Sequence, residues 1–106
     1  METLFEEIRQ DLATHSVLLY MKGTRTMPLC GFSAKVVSAL NKHGISYETR
    51  NILENEELRE GMKIFSEWPT FPQLYVKGEM VGGCDIVCEM DATGELKELF
   101  IRNELV

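Results

Sequence analysis

Two periods of hydrophobic residues run along the chain, and they set out its elements. Leu4, Phe5, Ile8 and Leu12 recur at three- and four-residue intervals, which predicts a helix through about residue 14. Thr3-Leu4-Phe5-Glu6 has the form of a capping box at its start. Val17-Leu18-Leu19-Tyr20-Met21 is instead an unbroken apolar run, too short for a helix, and predicts a buried strand over 17–22. Helical spacing returns with Val36, Val37 and Leu40, giving a second helix from Gly31 to His43 that Gly44 stops. Ile45 to Ile52 follows as an extended segment anchored by Tyr47 and Ile52. Strand, helix and strand in that order imply a parallel pair joined by a right-handed crossover.

Asn55-Glu56-Glu57 caps a third helix through about Phe65, with Leu58, Met62 and Phe65 turned inward. Trp68-Pro69-Thr70-Phe71-Pro72 is no helix, because its two prolines remove amide donors and push their neighbours toward extended geometry. Short strands Gln73–Val76 and Met80–Val81 flank a tight turn at Lys77-Gly78-Glu79. Cys84-Asp85-Ile86-Val87 opens another helix, and after Gly94 the residues Leu96, Leu99, Phe100 and Ile101 suggest a last one packed on the sheet.

Composition narrows the picture. The chain has 106 residues and no linker, repeat or low-complexity segment, so the whole of 1–106 is expected to be one domain. Its 17 acidic and 11 basic side chains give a net charge of −6, which argues against a nucleic-acid or anionic-membrane surface. No apolar run approaches membrane length and no Arg-rich presequence opens the chain, so a cytoplasmic location is expected; a removed organellar presequence would leave no trace. The three cysteines have neither the spacing of a disulfide framework nor that of paired zinc knuckles. A reducing compartment and a reactive thiol fit that usage.

The candidate chemistry centres on Leu29-Cys30-Gly31-Phe32-Ser33. Cys30 falls where strand and loop give way to helix, at the carboxyl edge of the sheet, and the unpaired amides of a helix start favour thiolate over thiol. Ser33 cannot resolve a mixed disulfide formed at Cys30, so the second sulfur must come from outside the chain. Lys22, at the strand end, is either an ordinary solvated lysine or a cation at the site entrance. Arg59 is either a surface partner of Glu56 or Glu60 or a guanidinium for a carboxylate. Gly82-Gly83 lets backbone approach closely before Cys84 and Asp85, where bare amides and a carboxylate together suit an α-amino acid end group. Cys88 shares a helix face with Cys84 and reads as a small buried hydrophobe. Trp68 reads as a hydrophobic anchor, and His15 receives no role.

These residues also resemble a known family. Lys22-Gly23, Cys30-Gly31-Phe32-Ser33, Trp68-Pro69-Thr70-Phe71-Pro72-Gln73-Leu74 and Gly82-Gly83-Cys84-Asp85, in that order over residues 22–85, are similar to the monothiol glutaredoxins of the Cys-Gly-Phe-Ser type. The resemblance implies an α/β, thioredoxin-like fold: a four-stranded mixed sheet flanked by helices, with Pro72 in cis beside the thiol. It implies a glutathione site formed by Lys22, Arg59, the Phe71 backbone, Cys84 and Asp85, with the glutathione sulfur next to Cys30. Whether Cys84 also pairs with Cys30 stays open. It further implies a 2Fe-2S cluster held by Cys30 and glutathione from each of two protomers, a monomer without the cluster, BolA-type partners and recipient iron-sulfur apoproteins. A glutathione-dependent monothiol oxidoreductase working through Cys30 is the alternative, and an adaptor without redox chemistry the third class.

Overall fold

The computed structural model describes residues 2–106. In chain order it runs α1 (Glu2–Thr14), β1 (Val17–Met21), α2 (Gly31–His43), β2 (Glu48–Asn51), α3 (Glu56–Ser66), β3 (Gln73–Val76), β4 (Glu79–Gly82), α4 (Cys84–Thr93) and α5 (Glu95–Arg102). The strands form one mixed sheet in the order β2-β1-β3-β4, with β1 parallel to β2, antiparallel to β3, and β3 antiparallel to β4. This is the thioredoxin-like arrangement that the resemblance implied.

β1 is the spine of the molecule. All five of its residues are buried, and because a strand's side chains alternate between faces, they divide between two cores. Val17, Leu19 and Met21 meet Val36, Val37 and Leu40 of α2, Val87 of α4 and Leu96 and Phe100 of α5. Leu18 and Tyr20 meet Leu4, Ile8 and Leu12 of α1 and Met62 of α3. A strand buried on both faces shows no polar alternation, which explains the unbroken apolar run. Each such side chain contributes about 1.5–3 kcal/mol of transfer free energy.

Several local expectations change. Thr3 lies inside α1 rather than capping it, since the helix already includes Glu2. Asn55 does cap α3, its Oδ1 accepting from the Leu58 amide at 3.0 Å. The extended segment 45–52 forms a strand over Glu48–Asn51, with the Ile52 N–H continuing to the Met21 carbonyl at 3.0 Å. Ile101 faces solvent, while Leu96 and Phe100 carry the packing of α5, because a helix period places position 101 off the apolar stripe. Among the described residues no helix is long and apolar enough to cross a membrane.

Candidate functional site

The end of β1 and the start of α2 are joined by a loop with its own internal bonding. Leu29 N–H donates to the Lys22 carbonyl at 3.0 Å, and Thr24 and Met27 exchange backbone bonds at 3.1 Å. Gly23 N–H donates to Asn51 Oδ1 at 2.9 Å, and the same oxygen accepts from Leu53 N–H at 3.0 Å, so β2 pins the loop. Arg25 closes its outer side, donating to the Tyr47 carbonyl at 2.7 Å with its guanidinium 4.6 Å from the Tyr47 ring centre. A side chain at Gly23 would not fit: φ is +93° and a Cβ would stand 2.6 Å from Leu29 N and Met27 O.

This loop delivers Cys30 as the N-cap of α2, in extended conformation, half-exposed. Hydrogen bonding from the Ser33 amide is the main cause that pulls its thiol below the ordinary value, helped by the Phe32 amide, the Lys22 charge and the Ser33 hydroxyl, against a smaller opposing effect of burial. The helix start therefore does to this sulfur what the sequence position implied. Ser33 itself is fully buried, and its Oγ accepts from the Lys22 amide at 3.2 Å. Its hydroxyl thus fastens the end of β1 to the first turn of α2, a role the residue pattern did not reveal.

Opposite the thiol stands the Trp68–Pro72 segment. The Phe71–Pro72 peptide is cis, as the resemblance implied. Gln73 holds the segment from below: fully buried, it donates through Nε2 to the carbonyls of Trp68 and Thr70, both at 3.1 Å, and accepts from the Tyr75 hydroxyl at 3.2 Å. All of its bonds run to groups that only the folded loop brings near, so sequence spacing offered no sign of them. The third wall is the β4–α4 junction. Gly82 has φ of +149°, and a Cβ there would meet Ile86 at 2.8 Å, while one at Gly83 would come within 3.2 Å of the Pro72 carbonyl oxygen. The close approach predicted for the glycine pair is thus an approach to Ile86 and to the Pro72 carbonyl.

Between these walls lies a cleft of about 350 Å³. Lys22, Cys30, Phe71, Cys84 and Asp85 all line it, five of the six residues singled out from the sequence. Arg59 does not line it. Its Nε is buried without a hydrogen-bond partner, and the Glu60 carboxylate is 3.5 Å away. Trp68, read as an anchor, is instead 38 % exposed and forms part of the lining together with Phe32, Thr70 and Ile86. Phe32 is 57 % exposed, and Met27 and Leu29 on the preceding loop are 68 % and 62 % exposed, so the rim is apolar and uncovered.

The other two thiols differ from Cys30. Burial, then the contact with Cys88, pushes the Cys84 thiol up to about 11. Cys88 is half-buried rather than sealed in the core, with its Sγ 3.9 Å from that of Cys84. Among the described residues no three potential metal ligands cluster.

Comparison with known proteins places this geometry. A glutaredoxin family profile matches residues 17–81, which include the thiol, the cis-proline segment and all four strands but the last residue of β4. The chain belongs to the glutaredoxin family. It is 53 % identical over 95 residues to a probable monothiol glutaredoxin 2 of Rickettsia felis, covering 90 % of this chain and 91 % of that one. Monothiol glutaredoxin-4 of Schizosaccharomyces pombe is 50 % identical over 100 residues, which span 91 % of this glutaredoxin but only 41 % of the yeast protein. In three dimensions it is similar to reduced apo GrxS14 of poplar, with a TM-score of 0.84, 47 % identity and coverage of 97 % and 94 % of the two chains. With Ser33 three residues after Cys30, the glutaredoxin is of the monothiol kind.

Proposed function

We propose that this glutaredoxin binds glutathione in the Cys30 cleft and, as a pair of protomers, carries a 2Fe-2S cluster for delivery to iron-sulfur apoproteins. One observation carries the reading. Cys30 is a lone, accessible sulfur held toward thiolate, while the other two thiols of the chain lie together on α4 and position 33 offers a hydroxyl rather than a second sulfur. A single thiolate is one ligand, whereas a 2Fe-2S cluster takes four sulfurs. Two Cys30 and two glutathione thiolates make up that number. The cleft has the means to seat the tripeptide: Lys22 and the bare amides at the start of α4 for carboxylates, Asp85 for the ammonium, and the Phe71 backbone for the cysteinyl unit. Arg59 stands outside the cleft lining, so its part is to reach the glycyl carboxylate with the outer end of its guanidinium rather than with the buried Nε. The uncovered apolar rim of Met27, Leu29 and Phe32 suits burial against a second protomer or a BolA-type protein in its place. The cargo is exchangeable because half of its ligands are small solutes.

Anaerobic reconstitution with iron, sulfide and glutathione tests this. Visible cluster absorption should appear only with glutathione, at one cluster per two chains, and should vanish in Cys30→Ser. Efficient turnover of a glutathione mixed disulfide with no cluster formed would assign the site to monothiol disulfide exchange instead, in which Cys30 takes glutathione from a substrate thiol and a second glutathione removes it. Such work on soluble clusters points to a location in the cytoplasm or in an organelle that assembles them.

A further inference from the structure

Cys84 lines the cleft proposed for glutathione, but the Cys84 and Cys88 sulfurs are not ligands in the cluster reading, and the geometry of the pair is specific. The two residues lie one turn apart on α4 with sulfurs 3.9 Å from each other. A disulfide does not fit there. Helix positions i and i+4 keep their Cβ atoms about 5–6 Å apart, whereas a disulfide needs about 3.5–4.5 Å. An atom inserted between the sulfurs does fit: tetrahedral thiolate ligation at a metal–sulfur distance near 2.3 Å sets two sulfurs about 3.8 Å apart. Both sulfurs are reachable. Cys84 opens on the Cys30 cleft, and Cys88 on a separate hollow of about 190 Å³ that is also lined by Lys35, Ser38, Lys42 and Asp91.

We propose that Cys84 and Cys88 form a two-thiolate clamp for a soft divalent d10 cation of the zinc–cadmium class. No oxidation state changes: two S–H bonds break with their protons passing to solvent, two waters leave the aquated ion, and two metal–sulfur bonds form in their place. Among the described residues no third ligand joins them, so the remaining coordination positions are open to water or to solute thiols. The two thiolate donors select for soft ions, which gain most from each sulfur. Because Cys84 also lines the main cleft, an ion in the clamp occupies part of the surface proposed for the glutathione γ-glutamyl end.

The test uses the full chain carrying Cys30→Ser, which lacks the cluster ligand, so its outcome is independent of the cluster reading. Under a non-thiol reductant, titration with Cd(II) should give one ion per chain, with thiolate-to-cadmium absorption of two sulfurs. Adding Cys88→Ser should weaken binding at least tenfold and halve the band. Equal affinity in that double variant, or two ions bound independently, overturns the proposal. Should the double variant fail to fold, protection decides on the Cys30→Ser chain alone: Cd(II) must shield both Cys84 and Cys88 from alkylation, read by mass. Shielding of one or neither overturns it.

Discussion

At the scale of single residues, the chemistry depends on which polar group spends its hydrogen bonds on structure and which keeps them free. Ser33 does both jobs, accepting from the Lys22 amide while its hydroxyl favours the Cys30 thiolate. Ser33→Ala should therefore have two separable effects. Leaving the part-buried Lys22 amide without an acceptor should cost about 1 kcal/mol, measurable by urea unfolding. The pH profile of Cys30 alkylation by iodoacetamide should also move to higher pH, because a stabiliser of the anion is gone. An unmoved profile would leave the hydroxyl only its structural part. Cys30 was legible because it stands beside a glycine at an element end, and Cys84 and Asp85 because they follow a glycine pair at a helix start, whereas the parts given to Lys22 and the Phe71 backbone came with the family resemblance. Ser33's bond was not legible, since it depends on where a strand end meets a helix; the shared face of Cys84 and Cys88 was legible, but not that α4 leaves Cys88 half-exposed.

At the scale of elements, the helices and strands were readable wherever one period dominated. The limits of α2 and of β3 agree with their apolar spacing, as does the helix opening at Cys84, whereas the turn is shorter than expected, Glu79 already belonging to β4, which runs Glu79–Gly82 rather than Met80–Val81. The failures have physical causes. Phe5, on the α1 stripe, is only partly buried and packs edge-on against Phe65 at 5.4 Å, so α1 leans on α3 rather than on the sheet alone. Arg59 lies on α3 away from the cleft lining, a placement that helical periodicity cannot reveal because it depends on how α3 sits against its neighbours. The segment from Trp68 to Pro72 shows the same dependence, being held by the buried Gln73 amide. Gln73→Leu keeps the volume and removes those bonds, leaving the Tyr75 hydroxyl without its acceptor. We expect roughly 2–4 kcal/mol of destabilisation by urea unfolding, with faster amide hydrogen exchange between Trp68 and Phe71. Unchanged exchange there would mean that the cleft wall is held by apolar packing alone.

At the scale of the whole molecule, α2 and α4 are tied by charge. The Asp91 carboxylate accepts from Lys42 Nζ and faces His43 Nε2, each at 2.7 Å, and the hydrogen bond from Lys42, then that from His43, holds it below the usual carboxylate range. A carboxyl whose folded value is depressed adds stability above its unfolded value and loses it as pH falls through the folded one. Asp91→Asn should accordingly be less stable by about 1 kcal/mol at neutral pH, with the difference shrinking toward zero below pH of about 4. Thermal melts of both chains across that range measure it, and a constant difference would assign the loss to packing instead. β1 bears on durability in another way. Its amides lie in the most enclosed ladder of the sheet, and the thiol loop is anchored to its last residues, so the reactive sulfur is mounted on the part of the fold expected to open last. Warming should therefore not loosen the reaction centre ahead of the body, and reactivity at Cys30 should decline only along with the global melt.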